Sequence, residues 1–235
     1  MTAHGTDEAQ HELAHYIDHT LLKATAGSDD IRKLCREARE HRFFSVCVNS
    51  CWVPLAKEEL QGSGVRVCTV VGFPLGAMSR EAKVFEASTA LSQGASEIDM
   101  VLNVGFLREG RYEEVQEEIR QIKEAIGDAL LKVIIETCYL TDQEKVQACR
   151  LAVAAGADYV KTSTGFGTGG AVAEDLQLML EAVEGKALVK ASGGVRDAAT
   201  ARAYIALGVR RLGTSNGIEI VSGNAPDSGP RSGSY

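Results

Sequence analysis

Three times along this chain a helical run closes on a glycine and re-enters a strand a few residues later: Gln93-Gly-Ala-Ser-Glu-Ile98, Ala155-Gly-Ala-Asp-Tyr-Val160 and Leu207-Gly-Val-Arg-Arg-Leu212. A glycine just past a helix supplies the left-handed cap, and the residues after it start a strand. The junction therefore repeats the order helix, turn, strand, and that alternation is what a parallel sheet requires. Strands are expected at Ile17–Leu22, Phe43–Asn49, Val65–Val71, Glu97–Leu102, Leu131–Thr137, around Lys161, around Lys190 and at Arg210–Thr214. Helical spacing of apolar residues predicts helices over Glu8–Tyr16, Asp29–Glu40 (capped by Ser28 or Asp29), Val53–Leu60, Arg80–Gln93, Arg111–Ile126, Thr141–Ala155, Ala173–Val183 and Ala198–Leu207. A last helical turn is expected at Asn216–Val221.

Eight such units in 235 residues close most simply as a single (β/α)8 TIM barrel of the α/β class, with a short N-terminal helix. A doubly wound open sheet is the fallback, but the turn after the first strand lacks the glycine fingerprint of dinucleotide sites. The barrel is expected to occupy residues 1–222, and the tail 223–235, rich in Gly, Ser and Pro, is expected to be flexible. A net charge of −7 argues against a nucleic-acid face, which needs a basic surface. No apolar run is long enough for a membrane span, and the polar start carries no secretory pattern. The six cysteines are scattered, and none joins a histidine cluster with metal-ligand spacing. Reduced thiols in a cytoplasmic protein are the expectation.

In a barrel of this kind, chemistry gathers at the C-terminal strand ends. Those ends hold Asp18, His19 and Thr20; Cys47 and Asn49; Phe73; Asp99 and Asn103; Glu136 and Thr137; Lys161, Thr162 and Thr164; Lys190 and Ser192; Gly213, Thr214 and Ser215. Two of the residues are lysines on successive strands, in Asp158-Tyr-Val-Lys-Thr-Ser-Thr-Gly165 and Ala187-Leu-Val-Lys-Ala-Ser-Gly-Gly194. Lysine is depleted in strands and is rarely buried without a partner. A nucleophilic amine must be neutral, and bringing an ordinary lysine from about 10.4 to about 7 takes roughly 4.6 kcal/mol. A second ammonium about 5 Å away supplies roughly 3 kcal/mol at an effective dielectric of about 20, and partial burial adds to it. Lys161 and Lys190 are thus candidates for an amine nucleophile and its activator, in either order. The structural alternative pairs them with Asp99, Asp18 or Glu136.

The loops after the seventh and eighth strands, Ala191–Arg196 and Gly213–Gly217, are small and glycine-bearing. In barrels these two loops often hold a phosphate. Backbone N–H groups of Gly193, Gly194, Ser215 and Asn216 are the expected cradle.

With these motifs in place the chain resembles the deoxyribose-phosphate aldolases of the class I, Schiff-base type. The resemblance rests on Ile17-Asp-His-Thr-Leu-Leu-Lys23, Val46-Cys-Val-Asn49, Val71-Gly-Phe-Pro-Leu-Gly76, Glu97-Ile-Asp-Met-Val-Leu-Asn103, Lys132-Val-Ile-Ile-Glu-Thr137, Val160-Lys-Thr-Ser-Thr-Gly-Phe166, Val189–Arg196 and Arg211-Leu-Gly-Thr-Ser215. It implies reversible cleavage of 2-deoxy-D-ribose 5-phosphate to D-glyceraldehyde 3-phosphate and acetaldehyde, without metal or organic cofactor. It also implies Lys161 as the imine-forming nucleophile, Lys190 as the cation that activates it, and Asp99 as the proton-handling carboxylate. Asp18, Thr20 and Cys47 match positions near the substrate. Thr162 and Gly213 complete the expected substrate contacts. Some members carry a phosphate-binding lysine where this chain has Phe166, which shifts phosphate anchoring toward the last two loops. Some members end in a tyrosine that reaches the site, a role open to Tyr235.

Two other readings compete: a different lysine-dependent sugar-phosphate aldolase or transaldolase, told apart by ketone donors, and a sensor that binds a phosphosugar without turnover. The partners expected are the phosphosugar and acetaldehyde alone, with no nucleic acid and no membrane, in a homodimer or homotetramer.

Overall fold

The computed structural model describes residues 12–223. Eight strands, β1 (Ile17–Leu21), β2 (Ser45–Val48), β3 (Arg66–Val71), β4 (Glu97–Val101), β5 (Leu130–Ile134), β6 (Tyr159–Lys161), β7 (Leu188–Ser192) and β8 (Arg211–Thr214), form one closed barrel in sequence order. Every neighbouring pair is parallel, and β8 returns to β1 through Ile17–Leu212 and Asp18–Gly213 register partners. Helices α1 (Ser28–Glu40), α2 (Val53–Glu59), α3 (Arg80–Ser92), α4 (Val104–Arg108), α5 (Tyr112–Ile126), α6 (Asp142–Ala154), α7 (Ala173–Val183), α8 (Ala198–Leu207) and α9 (Gly217–Ser222) follow the strands. The expected (β/α)8 architecture is the observed one.

The three glycine junctions work as their sequence suggests. Gly94, Gly156 and Gly208 follow α3, α6 and α8 at φ of 113°, 83° and 118°. An L side chain there would be strained, so glycine is what lets each helix turn directly into the next strand.

The two faces of the strands have opposite chemistry. Outward residues such as Ile17, Val46, Val67, Ile98, Met100, Leu131, Val133, Val160, Val189 and Leu212 are buried against the helices and form the main apolar core. Alternate residues point into the barrel. There Asp18, Glu97, Asp99, Lys132, Lys161, Lys190 and Arg211 are all buried. Barrel interiors are usually filled with branched apolar side chains; much of this one is filled with charge.

Some expected boundaries move. The fifth strand stops at Ile134 instead of Thr137, because Glu136 takes a left-handed conformation (φ 54°) and a 3₁₀ turn follows at Thr137–Tyr139. The second strand begins at Ser45, two residues after Phe43. Helix α1 is capped by Gly27, whose N–H donates to Asp30 Oδ2 at 2.9 Å, so neither Ser28 nor Asp29 is its cap. Helix α4 was not expected; Asn103 caps it by accepting from the Phe106 N–H at 3.0 Å. Of the expected N-terminal helix, residues 12–14 are helical and the remainder up to residue 11 lies outside the described residues. The expected tail beyond Gly223, Tyr235 included, also lies outside them.

Candidate active site

Lys161 is the last residue of β6, and its register partner on β7 is Lys190. The equal height expected from the two sequence motifs is therefore built into the sheet. Asp99 and Lys190 sit at the centres of β4 and β7, one layer deeper than the strand ends expected for them. Asp99 binds both amines: its Oδ2 lies 2.8 Å from Lys161 Nζ and 2.7 Å from Lys190 Nζ. The two nitrogens are then no farther apart than those two bonds laid end to end.

The network extends further. Lys132, the register partner of Asp99 on β5, reaches Asp99 Oδ1 at 2.8 Å and Glu97 Oε2 at 2.6 Å. Lys190 also reaches Asp18 Oδ2 at 2.5 Å. Arg211, the register partner of Lys190 on β8, pairs with Asp18 at 2.8 Å and with Glu97, and its guanidinium lies 3.5 Å from the Phe44 ring centroid. Ser45 donates to Asp18 Oδ1 at 2.7 Å and the Cys68 thiol to Asp99 Oδ1 at 3.1 Å.

Counted at ordinary charges, Lys132, Lys161, Lys190 and Arg211 face Asp18, Glu97 and Asp99, one cation too many. Lys132, Lys190 and Arg211 each touch two carboxylates. Among the described residues Lys161 touches one, Asp99, which it shares. It is also slightly exposed, at 3%, whereas Lys190 is at 0%.

The electrostatics follow from these contacts. Burial is the largest single influence on Asp99 and opposes its charge, but Lys132, Lys161 and Lys190 together hold its carboxyl well below the usual range. Asp18 is depressed in the same way, with Arg211 the strongest of the opposing cations. Burial works against the Lys190 ammonium, yet Asp18 and Asp99 outweigh it and push that amine upward. Lys132 is pushed up against burial chiefly by Asp99. Lys190 and Lys132 are thus fixed cations.

The other expected site residues divide. Asp18 belongs to the charged network. The Thr20 hydroxyl donates to the Asp18 carbonyl at 2.7 Å, within its own strand. Cys47 is buried beside Cys68, its register partner on β3. Thr162 is tied to β7: its hydroxyl donates to the Ser192 carbonyl at 2.9 Å and accepts from the Ser192 N–H at 3.0 Å. Gly213 lies against Lys190, since a Cβ there would stand 3.1 Å from Lys190 Cε.

Gly193 and Gly194 turn at φ of 84° and 83° after β7, and Ser215 and Asn216 follow β8, its sheet neighbour. The Gly193 carbonyl accepts from Ala171 at 2.9 Å, and the Asn216 N–H already donates to Thr214 Oγ1 at 2.9 Å. Glu136 binds the loop after β6, not a lysine: its carboxylate accepts from the Thr164 N–H at 3.2 Å and from the Thr164 hydroxyl. Phe166, on the same loop, meets Phe73 edge-on across 5.2 Å.

Lys132, Glu97 and Arg211 were missed by the sequence reading. The signal existed for Lys132, since a lysine between Leu131 and Val133 breaks the same rule that singled out Lys161. Among the described residues one group brings metal-type ligands together: Cys47, Cys68 and Asp99, with ligand atoms within 4.8 Å of one another. Sequence spacing could not show it, because it is assembled across β2, β3 and β4. Three ammonium groups around Asp99 oppose a dication there.

Residues 12–220 match the family described as DeoC/LacD family aldolase. The chain is 60% identical over 208 residues to a deoxyribose-phosphate aldolase of Brevibacillus brevis, covering 88% of this chain and 94% of that protein. It is 57% identical over 216 residues to the deoxyribose-phosphate aldolase of Carboxydothermus hydrogenoformans, covering 90% and 95%. Among solved structures, the tetrameric deoxyribose phosphate aldolase of Aeropyrum pernix superposes with a TM-score of 0.83 at 31% identity, covering 94% of this chain and 97% of that one.

Proposed function

Because this chain belongs to the DeoC/LacD aldolase family and is an aldolase acting on deoxyribose phosphate, we propose that it cleaves 2-deoxy-D-ribose 5-phosphate through an imine on Lys161. The observation that carries this assignment is the uneven sharing of carboxylates. Lys132, Lys190 and Arg211 each hold two, while Lys161 holds one in common with Lys190. In an interior with one surplus cation, Lys161 is the amine with the fewest carboxylate partners. Once neutral, it attacks the substrate carbonyl. Lys190 stays charged beside it, held by Asp18 and Asp99. Asp99, ionised and bonded to both nitrogens, takes up and returns protons as the carbinolamine loses water. Cleavage leaves an enamine of acetaldehyde, which is protonated and hydrolysed.

The phosphate is proposed to lie against the loops after β7 and β8, where Gly194 and Ser215 are exposed at adjacent strand ends. A cytoplasmic setting is supported by six free cysteines, which suit a reducing compartment. Among the described residues no helix is long and apolar enough to cross a membrane. Self-association is supported by the exposure of Leu75 and Phe85, at 77% and 74%.

Acetaldehyde with borohydride tests the assignment directly. A two-carbon adduct is expected on Lys161, retained in Lys190→Leu and lost in Lys161→Leu. An adduct on Lys190 in the wild-type protein would reverse the two roles.

A further inference from the structure

Two thiols lie beside the reacting groups and take no part in the proposed cleavage. Cys47 on β2 and Cys68 on β3 are register partners on neighbouring parallel strands, and their sulfurs lie within 4.8 Å of each other. Neighbouring strands run about 4.8 Å apart, inside the Cα separation of about 4.4–6.8 Å that a disulfide spans. With Leu22, Val70 and Phe73 the pair forms a small apolar cluster apart from the main core. The groups facing it are Asp99, which accepts the Cys68 thiol at 3.1 Å, and the ammonium of Lys132, 3.4 Å from Cys68 Sγ.

We propose that Cys47 and Cys68 form an oxidisable dithiol in which Cys47 is attacked by a small hydroperoxide and Cys68 resolves the product as an intramolecular disulfide. The Cys47 thiolate attacks the terminal oxygen of the hydroperoxide; an S–O bond forms, the O–O bond breaks, and water or an alcohol leaves. Cys68 sulfur then attacks the Cys47 sulfenic acid; an S–S bond forms, the S–O bond breaks, and the hydroxyl leaves as water with the Cys68 proton. The two thiols are oxidised by two electrons and the peroxide is reduced.

The two cysteines are electrostatically unequal, as these roles require. The hydrogen bond with Cys68 is the largest influence on Cys47 and, with Lys190 and Lys161, pulls its thiol down against burial and Asp99, whereas burial and Cys47 itself push Cys68 up. Access rests on the aldolase reading: a cavity that admits acetaldehyde to Lys161 admits a peroxide of the same size. The other buried thiols, Cys35 and Cys149, are both pushed up to about 12 by burial and should stay inert. Disulfide formation removes the Cys68 hydrogen bond to Asp99, so oxidation should silence the lysine site reversibly.

The test is hydrogen peroxide treatment of the full chain, followed by peptide mass mapping and, separately, an activity assay before and after dithiothreitol. Expected are a loss of about 2 Da confined to a cross-linked Cys47–Cys68 peptide pair, at least a tenfold fall in activity, and recovery on reduction. In Cys68→Ser the same treatment should leave Cys47 about 16 Da heavier with no cross-link. Oxidation of Cys51 or Cys138 alone, or a Cys47 adduct that never cross-links in the wild-type chain, would overturn the proposal. The mass readout does not depend on turnover, so it separates failure of this idea from failure of the aldolase assignment.

Discussion

Lys161 and Lys190 donate to the same oxygen of Asp99, at 2.8 and 2.7 Å. One carboxylate oxygen cannot fully neutralise two ammonium groups, and only Lys190 has a second acid, Asp18, to draw on.

Replacing Lys190 with leucine should therefore lower kcat/KM at pH 7 by roughly a hundredfold, the equivalent of the roughly 3 kcal/mol of repulsion it supplies. Its removal also leaves Asp99 Oδ2 to Lys161 alone, with Lys132 still on Oδ1. The acid limb of the pH–rate profile should move to higher pH, and part of the lost activity should return above pH 9. A variant with lowered activity and an unmoved profile would assign Lys190 to structure alone.

Asp99→Asn should cost more than activity. It leaves Lys132 and Lys190 buried beside an uncharged amide, and breaking one side of a buried ion network typically costs about 3–5 kcal/mol. For a chain of this size that is a fall in Tm of roughly 6–20 °C, measurable by calorimetry. Asp99→Glu should keep more of the stability than of the turnover.

Gly213→Ala tests how tightly Lys190 is seated. The new methyl would meet Ser192 Cβ at 2.9 Å and Lys190 Cε at 3.1 Å, and Ser192 Cβ is fixed to the neighbouring strand. Overpacking of this kind costs about 1–3 kcal/mol. The displaced amine should lower kcat with a smaller change in KM.

Stability against pH should show a broad plateau. Asp18 and Asp99 have folded-state pKa values below their unfolded ones, so their contribution is present above about pH 4 and is lost as pH falls further. Lys132 and Lys190 are raised, so theirs is complete below about pH 10 and fades only as pH rises beyond it. Denaturant titrations between pH 3 and pH 11 should find both shoulders. Loss of stability beginning near pH 6 would contradict this network.

The fold was readable because each βα unit announces itself locally. Apolar runs such as Val65–Val71 are those of strands covered on their outer face, and Gly94, Gly156 and Gly208 mark the helix exits. Lys161 and Lys190 were readable because an amine in such a run is anomalous. Glu97 and Arg211 were not, since an alternating charge in a strand also describes an ordinary solvent-facing edge. Only ring closure, which brings β8 to β1 and lets Arg211 reach Asp18 and Glu97, turns that alternation inward. The left-handed turn at Glu136 carries no local signal of its own, and the five-residue helix α4 carries only its Asn103 cap. The pairing of Cys47 with Cys68 depends on β2–β3 register, which spacing along the chain does not encode.

The uneven tally of acids and bases inside the barrel also bears on what happens after the substrate is captured. A neutral Lys161 leaves three positive groups facing three negative ones, and an iminium at that nitrogen restores the imbalance. Passing to the enamine removes it again. On the proposed Lys161 imine, this charge count favours the electron-rich form of the covalent adduct, the one that reacts with an incoming aldehyde in the direction of synthesis.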